Sequence, residues 1–379
     1  MVKLEPTFRH GLVIGKFYPP HAGHYYLIRT AASYCQQVTV GVLPGSGESI
    51  ALADRLAWMR EDLADCPHVI VVGRHDDTPV DYHDPAIWDA HEAHFRWVVA
   101  EANRQRLAPL QPVDAVFASE PYVVELARRF QAVPVCLDLP RVSYPVSGTA
   151  VRASPISTWS RLTAPVKAAL CKRIVVLGAE STGTTTLACD LTQALQARGG
   201  VWAATQWVPE FGREHTWNKL AMAQGLALFN HRPRPGVADL DWHSDEFTFI
   251  AATQTQREDW AGRQGSPVLI CDTDALATTI WHERYMGSAS AACCDVAARM
   301  PPRALYLLTD HEHVPFEDDG LRDGEEIRAW MTERFCEVLQ AQSVPWLKIT
   351  GSREWRLQQA LQAIDQVLAA GWEFAQPLG

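Results

Sequence analysis

Twice in this chain a short run of aliphatic residues ends at a glycine, passes through a turn and opens into a helix. Leu12-Val13-Ile14 stops at Gly15, and Ile174–Leu177 stops at Gly178. A strand ending on glycine lets a ligand approach the backbone. The helix behind it offers unpaired N–H groups and the positive end of its dipole. Each run starts an alternating series. After the first, Val38–Leu43, Val69–Val72, Val113–Ala118 and Val133–Leu137 read as strands. Helices are predicted through Leu52, Leu56, Met59 and Leu63 and near Tyr122–Phe130. After the second, strands are predicted at Val268–Cys271, Ala304–Leu308 and Pro345–Ile349, and helices at Thr185–Ala197, Asp245–Trp260, Glu325–Leu339 and Glu354–Ala370. The segment Arg213–Leu240 reads as mixed helix and loop over a substrate site. Strands alternating with helices give an α/β chain with two parallel sheets and crossover helices.

The 379 residues, 47% of them hydrophobic, suffice for two cores. We expect a first domain over 10–153, a linker over 154–171 where Pro155 and Pro165 break the pattern, and a second domain over 172–370. The formal charge of −10 disfavours sequence-independent nucleic-acid binding. No apolar run approaches the roughly 18 residues of a membrane span, and no hydrophobic signal region opens the chain. The nine cysteines include no CxxC pair, so reduced thiols are expected rather than a zinc site. A cytoplasmic protein acting on small molecules, with no membrane or nucleic-acid partner, fits these features. A homo-oligomer is compatible with them.

The residues around the first glycine carry chemistry. In Gly15-Lys16-Phe17-Tyr18-Pro19-Pro20-His21-Ala22-Gly23-His24, two histidines three apart at a helix start project to one side, with Lys16 nearby. That is a pocket for a polyphosphate at the carboxyl end of a parallel strand. The segment matches Gly-x-Phe-x-Pro-x-His-x-Gly-His, the signature of HIGH-type nucleotidyltransferases. Val146-Ser147-Gly148-Thr149-Ala150-Val151-Arg152 resembles that superfamily's second motif, in which two hydroxyls and a guanidinium clamp phosphates.

The second glycine opens Gly178-Ala179-Glu180-Ser181-Thr182-Gly183-Thr184-Thr185-Thr186, a strand–glycine loop–helix of the P-loop kind with Thr184 where lysine is expected. Its N–H cradle and the hydroxyl of Thr185 remain; the mobile charge does not. Cys271-Asp272-Thr273-Asp274 ends an apolar strand, as a magnesium-associated carboxylate would. Asp318-Asp319-Gly320-Leu321-Arg322 reads as a lid carrying an arginine.

The pairing of these two domains resembles the NadR-type bifunctional proteins of NAD salvage. Phe117–Tyr122, Pro209-Glu210-Phe211-Gly212-Arg213-Glu214 and Asp272-Thr273-Asp274 add to the likeness. The resemblance implies adenylyl transfer from ATP to nicotinamide mononucleotide in the first domain and phosphorylation of nicotinamide riboside in the second, with Mg2+ as cofactor. It places ATP against Gly15, Phe17 and Gly23, with His21 and His24 donating hydrogen bonds to its phosphates. Lys16 neutralises charge there, and Ser147, Thr149 and Arg152 hold the β- and γ-phosphates. Trp88 and Tyr122 are candidate aromatic faces for the pyridinium ring. In the second domain the loop Gly178–Thr186 holds ATP, Asp272 or Glu210 takes the riboside's hydroxyl proton, and Thr185 and Asp274 contact the metal. Arg213 and Arg322 are candidates to replace the lysine charge. Thr184 leaves open a second domain that binds nucleotide as a sensor without chemistry, and the signature leaves open a different phosphorylated acceptor. Some family members carry an N-terminal helix-turn-helix. About ten residues precede the first strand here, which does not support that role.

Overall fold

The computed structural model describes residues 6–81, 83–106, 111–317 and 324–378. It divides into two compact units, residues 1–166 together with Trp372–Gly379, and Lys167–Gly371. The return of residues 372–378 to the first unit has no counterpart in the domain boundaries expected from the sequence.

In the first unit, β1 (Phe8–Gly15), β2 (Cys35–Val42), β3 (Val69–Gly73), β4 (Ala115–Ala118) and β5 (Val133–Cys136) form a parallel sheet of order β3-β2-β1-β4-β5. Side chains alternate across it. Val13 points into a core closed by α1 (Ala22–Tyr34) and α2 (Leu52–Asp62), whereas Leu12 faces α3 (Pro85–Gln105) and α4 (Val123–Phe130). The chain leaves β1 toward β2 on one side and comes back to pair β4 on the other, so the carboxyl ends of β1 and β4 flank the point where strand order reverses. The short α5 (Gly148–Ala153) follows, capped by the Ser147 hydroxyl, which accepts from Ala150 N at 3.1 Å. The predicted linker is mostly helical: α6 (Pro155–Thr158), a 3₁₀ turn over Trp159–Arg161 and α7 (Ala164–Leu170).

In the second unit, β6 (Lys172–Gly178), β7 (Gln206–Val208), β8 (Val268–Asp272), β9 (Arg303–Thr309) and β10 (Trp346–Ile349) form a parallel sheet of order β10-β9-β6-β8-β7. Ile174 and Val176 pack under α8 (Thr184–Gln196) and α14 (Arg353–Ala370). On the opposite face lie α10 (Ser244–Gln264) and α13 (Arg328–Gln340). The remaining helices are α9 (Phe211–Phe229), α11 (Ala275–Met286) and α12 (Ala291–Arg299). The segment expected to be mixed helix and loop is therefore helical for most of its length. Among the described residues no helix is long and apolar enough to cross a membrane.

Candidate functional site

Each unit holds a cavity where its strand order reverses. The first, about 440 Å³, opens at the carboxyl ends of β1 and β4. The predicted Gly15, Lys16, Phe17, His21, Gly23 and His24 line it, as do Ser147, Thr149 and Arg152 of the second motif and the aromatic candidates Trp88 and Tyr122. The two histidine rings stack with centroids 3.6 Å apart, and the Phe17 ring meets His24 edge-on at 4.9 Å. Phe17 adopts φ 50°, a left-handed conformation that a bulky residue takes only when its surroundings hold it there. Both nitrogens of His21 and Nδ1 of His24 are buried without a hydrogen-bond partner. Burial holds His21 down at about 4, with Arg141's charge acting the same way, and burial drives His24 well below the usual imidazole range. Both rings are thus neutral at physiological pH.

Around them the loop is fastened from several elements. Arg55, buried and paired with Glu48 at 2.6 Å, donates to the carbonyl of Lys16 at 2.8 Å. Arg152 donates to the carbonyl of Tyr18 at 2.7 Å and to the Thr149 hydroxyl at 3.3 Å. Gly148 sits so close that a β-carbon there would meet the Tyr18 carbonyl at 2.9 Å, which restricts the position to glycine. Tyr122 donates to the carbonyl of Ile14 at 3.3 Å. Lys16 lies 3.8 Å from Glu48 and donates to the carbonyl of Leu378, while Tyr18 donates to Ala375 O at 3.0 Å. Pro377 lines the cavity. Sequence reasoning missed this tail. It also missed Asp76 and His91, joined at 2.6 Å on the cavity wall, where Asp76 raises the imidazole's pKa. Nothing in their local sequence marks either residue.

The second cavity, about 470 Å³, lies over the carboxyl ends of β6 and β8. The loop Gly178–Thr186 lines it, together with Glu210, Arg213 and Asp272. A β-carbon on Gly178 would run into the hydroxyls of Thr309 and Thr182, and Gly183 takes φ 86°, so the first glycine is required by packing and the second by its backbone. Thr185 donates to the Asp272 carboxylate at 2.6 Å across the cavity floor. Burial pushes that carboxyl up to about 6, against the hydrogen bond from Thr185 and the charge of Arg213. Glu180 lies 3.6 Å from Arg284.

Asp274 does not join them, which corrects its expected metal contact. Its side chain is fully buried; Oδ1 caps α11 by accepting from Ala277 N, and Oδ2 accepts from Arg303 at 3.0 Å and Tyr306 at 2.9 Å. The carboxylate belongs to a buried network with Arg303 and Glu258, which stand 2.7 Å apart. Arg322 and its predicted lid, Asp318–Arg322, lie outside the described residues. A further lining went unread: Trp242, Phe247, Trp281 and Tyr285 wall the far side of the cavity, with Trp242 5.2 Å from Tyr285 and 5.4 Å from Phe247. They come from three segments, so no motif announces them.

Comparisons with known proteins agree with this architecture. A family model for an AAA domain matches residues 173–356. Over 324 residues the chain is 23% identical to the trifunctional NAD biosynthesis/regulator protein NadR of Salmonella typhimurium, covering 82% of this chain and 71% of that one. The NadR of Escherichia coli is also 23% identical, over 354 residues, 89% of this chain and 78% of the relative. The chain is homologous to NadR. A crystal structure of NadR with NR superposes with a TM-score of 0.70 at 18% identity, covering 98% of both chains. One of NadR with NAD and AMP-PNP gives 0.67 at 18% identity, covering 97% of this chain and 98% of that one. At such identity these two structures speak for the fold.

Proposed function

We propose that this NadR homologue makes NAD in its first unit, a HIGH-type nucleotidyltransferase, by adenylyl transfer from ATP to nicotinamide mononucleotide, and phosphorylates nicotinamide riboside in its second. The observation that carries the first activity is the stacked, neutral histidine pair, in which both nitrogens of His21 and Nδ1 of His24 are buried without partners at the reversal point of the first sheet. Buried nitrogens of that kind call for a ligand's oxygens.

In the first unit a phosphate oxygen of the mononucleotide attacks the α-phosphorus of ATP in line. The bond from the α-phosphorus to the bridging oxygen breaks, and pyrophosphate leaves with the electron pair, so no covalent enzyme intermediate is needed. His21 and His24 donate to the phosphate oxygens as neutral imidazoles, adding hydrogen bonds where charge accumulates. Lys16 and Arg152 supply full charge, and Ser147 and Thr149 flank the β- and γ-phosphates. Trp88 and Tyr122 offer aromatic surface to the pyridinium.

In the second unit the riboside's 5′-hydroxyl oxygen attacks the γ-phosphorus, the bond to the β-bridging oxygen breaks, and ADP leaves. Glu210, a carboxylate on the cavity wall apart from the Thr185–Asp272 pair, accepts the hydroxyl proton. The aromatic wall of Trp242, Trp281 and Tyr285 suits a flat cationic ring. The oxygen donors Thr185 and Asp272, side by side, fit Mg2+, which takes few protein ligands and completes its shell with phosphate and water. When bound, it neutralises charge on the transferring phosphoryl group.

The test is one assay of the purified protein with ATP and magnesium, begun in parallel from nicotinamide riboside and from nicotinamide mononucleotide. NAD from both is expected. NAD from the mononucleotide alone would overturn the kinase half and leave the second unit a nucleotide sensor, the reading that Thr184 favours, or a kinase for another substrate. No NAD from either would overturn the adenylyl-transfer half, and ADP and mononucleotide formed from the riboside would then decide the kinase half.

A further inference from the structure

The loop Gly178–Thr186 places threonine at 184, so a polyphosphate seated there meets no lysine from the loop itself. A cation reaches the loop from elsewhere. Arg356, in the first turn of α14, is 7% exposed and lines the same cavity as Thr184 and Thr185. Its Nη1 donates to the loop's own Thr182 carbonyl at 2.7 Å, its Nη2 to Asp310 O at 3.0 Å and its Nε to Gly351 O at 2.9 Å. All three acceptors are main-chain carbonyls. The acidic side chain acting on it through space, Asp310, is itself held by Lys348 at 2.8 Å. A β-carbon built on Gly183 would lie 3.9 Å from Nη1, which puts the guanidinium beside the peptides that form the cradle.

Arg356 therefore carries a full charge in a buried place, hydrogen-bonded but without a carboxylate partner. Such a charge is costly unless an anion comes to it. Two of its five N–H groups are uncommitted by these bonds. Two other arginines near the loop are differently disposed. Arg328 grips the neighbouring Ser181 carbonyl at 3.2 Å but does not line the cavity, and Arg353 is paired with Asp190 at 2.7 Å.

We propose that Arg356 supplies, from α14, the positive charge the loop lacks, and that it draws the polyphosphate of a nucleoside triphosphate onto Gly178–Thr186. The inference rests on the reading of the second unit as a nucleotide-binding unit. It adds Arg356 to the two candidates expected from the sequence, Arg213, which lines the same cavity, and Arg322, which lies outside the described residues.

The test is hydrogen exchange of the full chain, read on the peptide covering residues 178–187 and titrated with magnesium–AMP-PNP. This readout is local to the loop and needs no turnover. Arg356→Gln is expected to move the midpoint of protection to roughly tenfold or higher nucleotide concentration, as loss of a charge-assisted contact should. Arg356→Lys, which keeps charge but cannot bridge three carbonyls, is expected to stay closer to wild type. Thr184→Lys is expected to tighten binding more in the Arg356→Gln background than in wild type, because either cation then serves the same phosphates. An equal gain in both backgrounds would mean that Arg356 only props the loop, and an unchanged midpoint in Arg356→Gln would also overturn the proposal. Failure of wild type to show any protection would instead overturn the nucleotide-binding reading on which it rests.

Discussion

His21 and His24 enter the cavity as uncharged rings, and this limits what they could do for a bound phosphate. A neutral imidazole donates one hydrogen bond and accepts another, so in the proposed mechanism the pair would orient phosphate oxygens rather than neutralise them, and neutralisation would fall to Lys16 and Arg152. We expect His24→Ala to lower adenylyl transfer by about 10²-fold while the protein stays folded, as loss of a group acting on developing charge should; NAD formation at the wild-type rate would remove His24 from the mechanism. The same burial has a consequence for stability. Above pH 6.5, the ordinary value, His21 is neutral folded or unfolded. As pH falls below that, the unfolded chain takes up a proton that the folded chain refuses until about 4, so stability is lost across this window. At pH 5 the loss from His21 is about 2 kcal/mol. Urea unfolding at pH 7 and pH 5 should show a smaller difference for His21→Asn than for wild type; an equal difference would mean that His21 titrates normally.

Elements were legible where the sequence writes them compactly. The strand–glycine–helix openings put their chemistry in consecutive residues, so Gly15–His24 and Gly178–Thr186 are readable as sites from residue order alone. The 21-residue α3 went unread, although Asp84 caps it by accepting from Ala86 N and Pro85 occupies its first turn. Its buried face, Trp88, Phe95, Val98, Val99 and Ala102, is interleaved with charged residues and histidines that blur the helical period. In α9 the difficulty is reversed: Met222, Leu226, Leu228 and Phe229 are apolar yet exposed, so no single buried stripe defines the helix. Asp272 and Asp274 show the limit of spacing. Two residues apart on a turn, they face different surroundings, one the cavity and one the buried Arg303. Asp274→Ala would leave Arg303 with Glu258 as its remaining carboxylate, strand the Tyr306 hydroxyl and uncap α11. We expect a loss of about 3 kcal/mol in denaturant unfolding of the second unit, the low end of the cost of removing one partner of a buried ion pair, since Glu258 still faces Arg303; a loss below about 1 kcal/mol would mean the network is expendable.

At the scale of the molecule, the first unit is one fold written in two pieces. Residues 372–378 return to it after the whole second unit has intervened, with Trp372 beside Trp159, Phe374 edge-on to Tyr18 and Ala375 N donating to Ser49 Oγ at 2.6 Å. Deleting residues 372–378 removes one partner each from Tyr18 and Lys16 and should reduce adenylyl transfer several-fold, chiefly through a higher KM for ATP; an unchanged KM would make the segment mere covering. The arrangement also sets an order in time. A ribosome delivers the sheet, the histidines and the arginine clamp early, then spends 205 residues on the second unit before the segment that fastens Lys16 emerges. A nascent chain interrupted anywhere in that interval has its first sheet but not its finished ATP site, so the capacity to make NAD at full rate waits until the second unit has been translated.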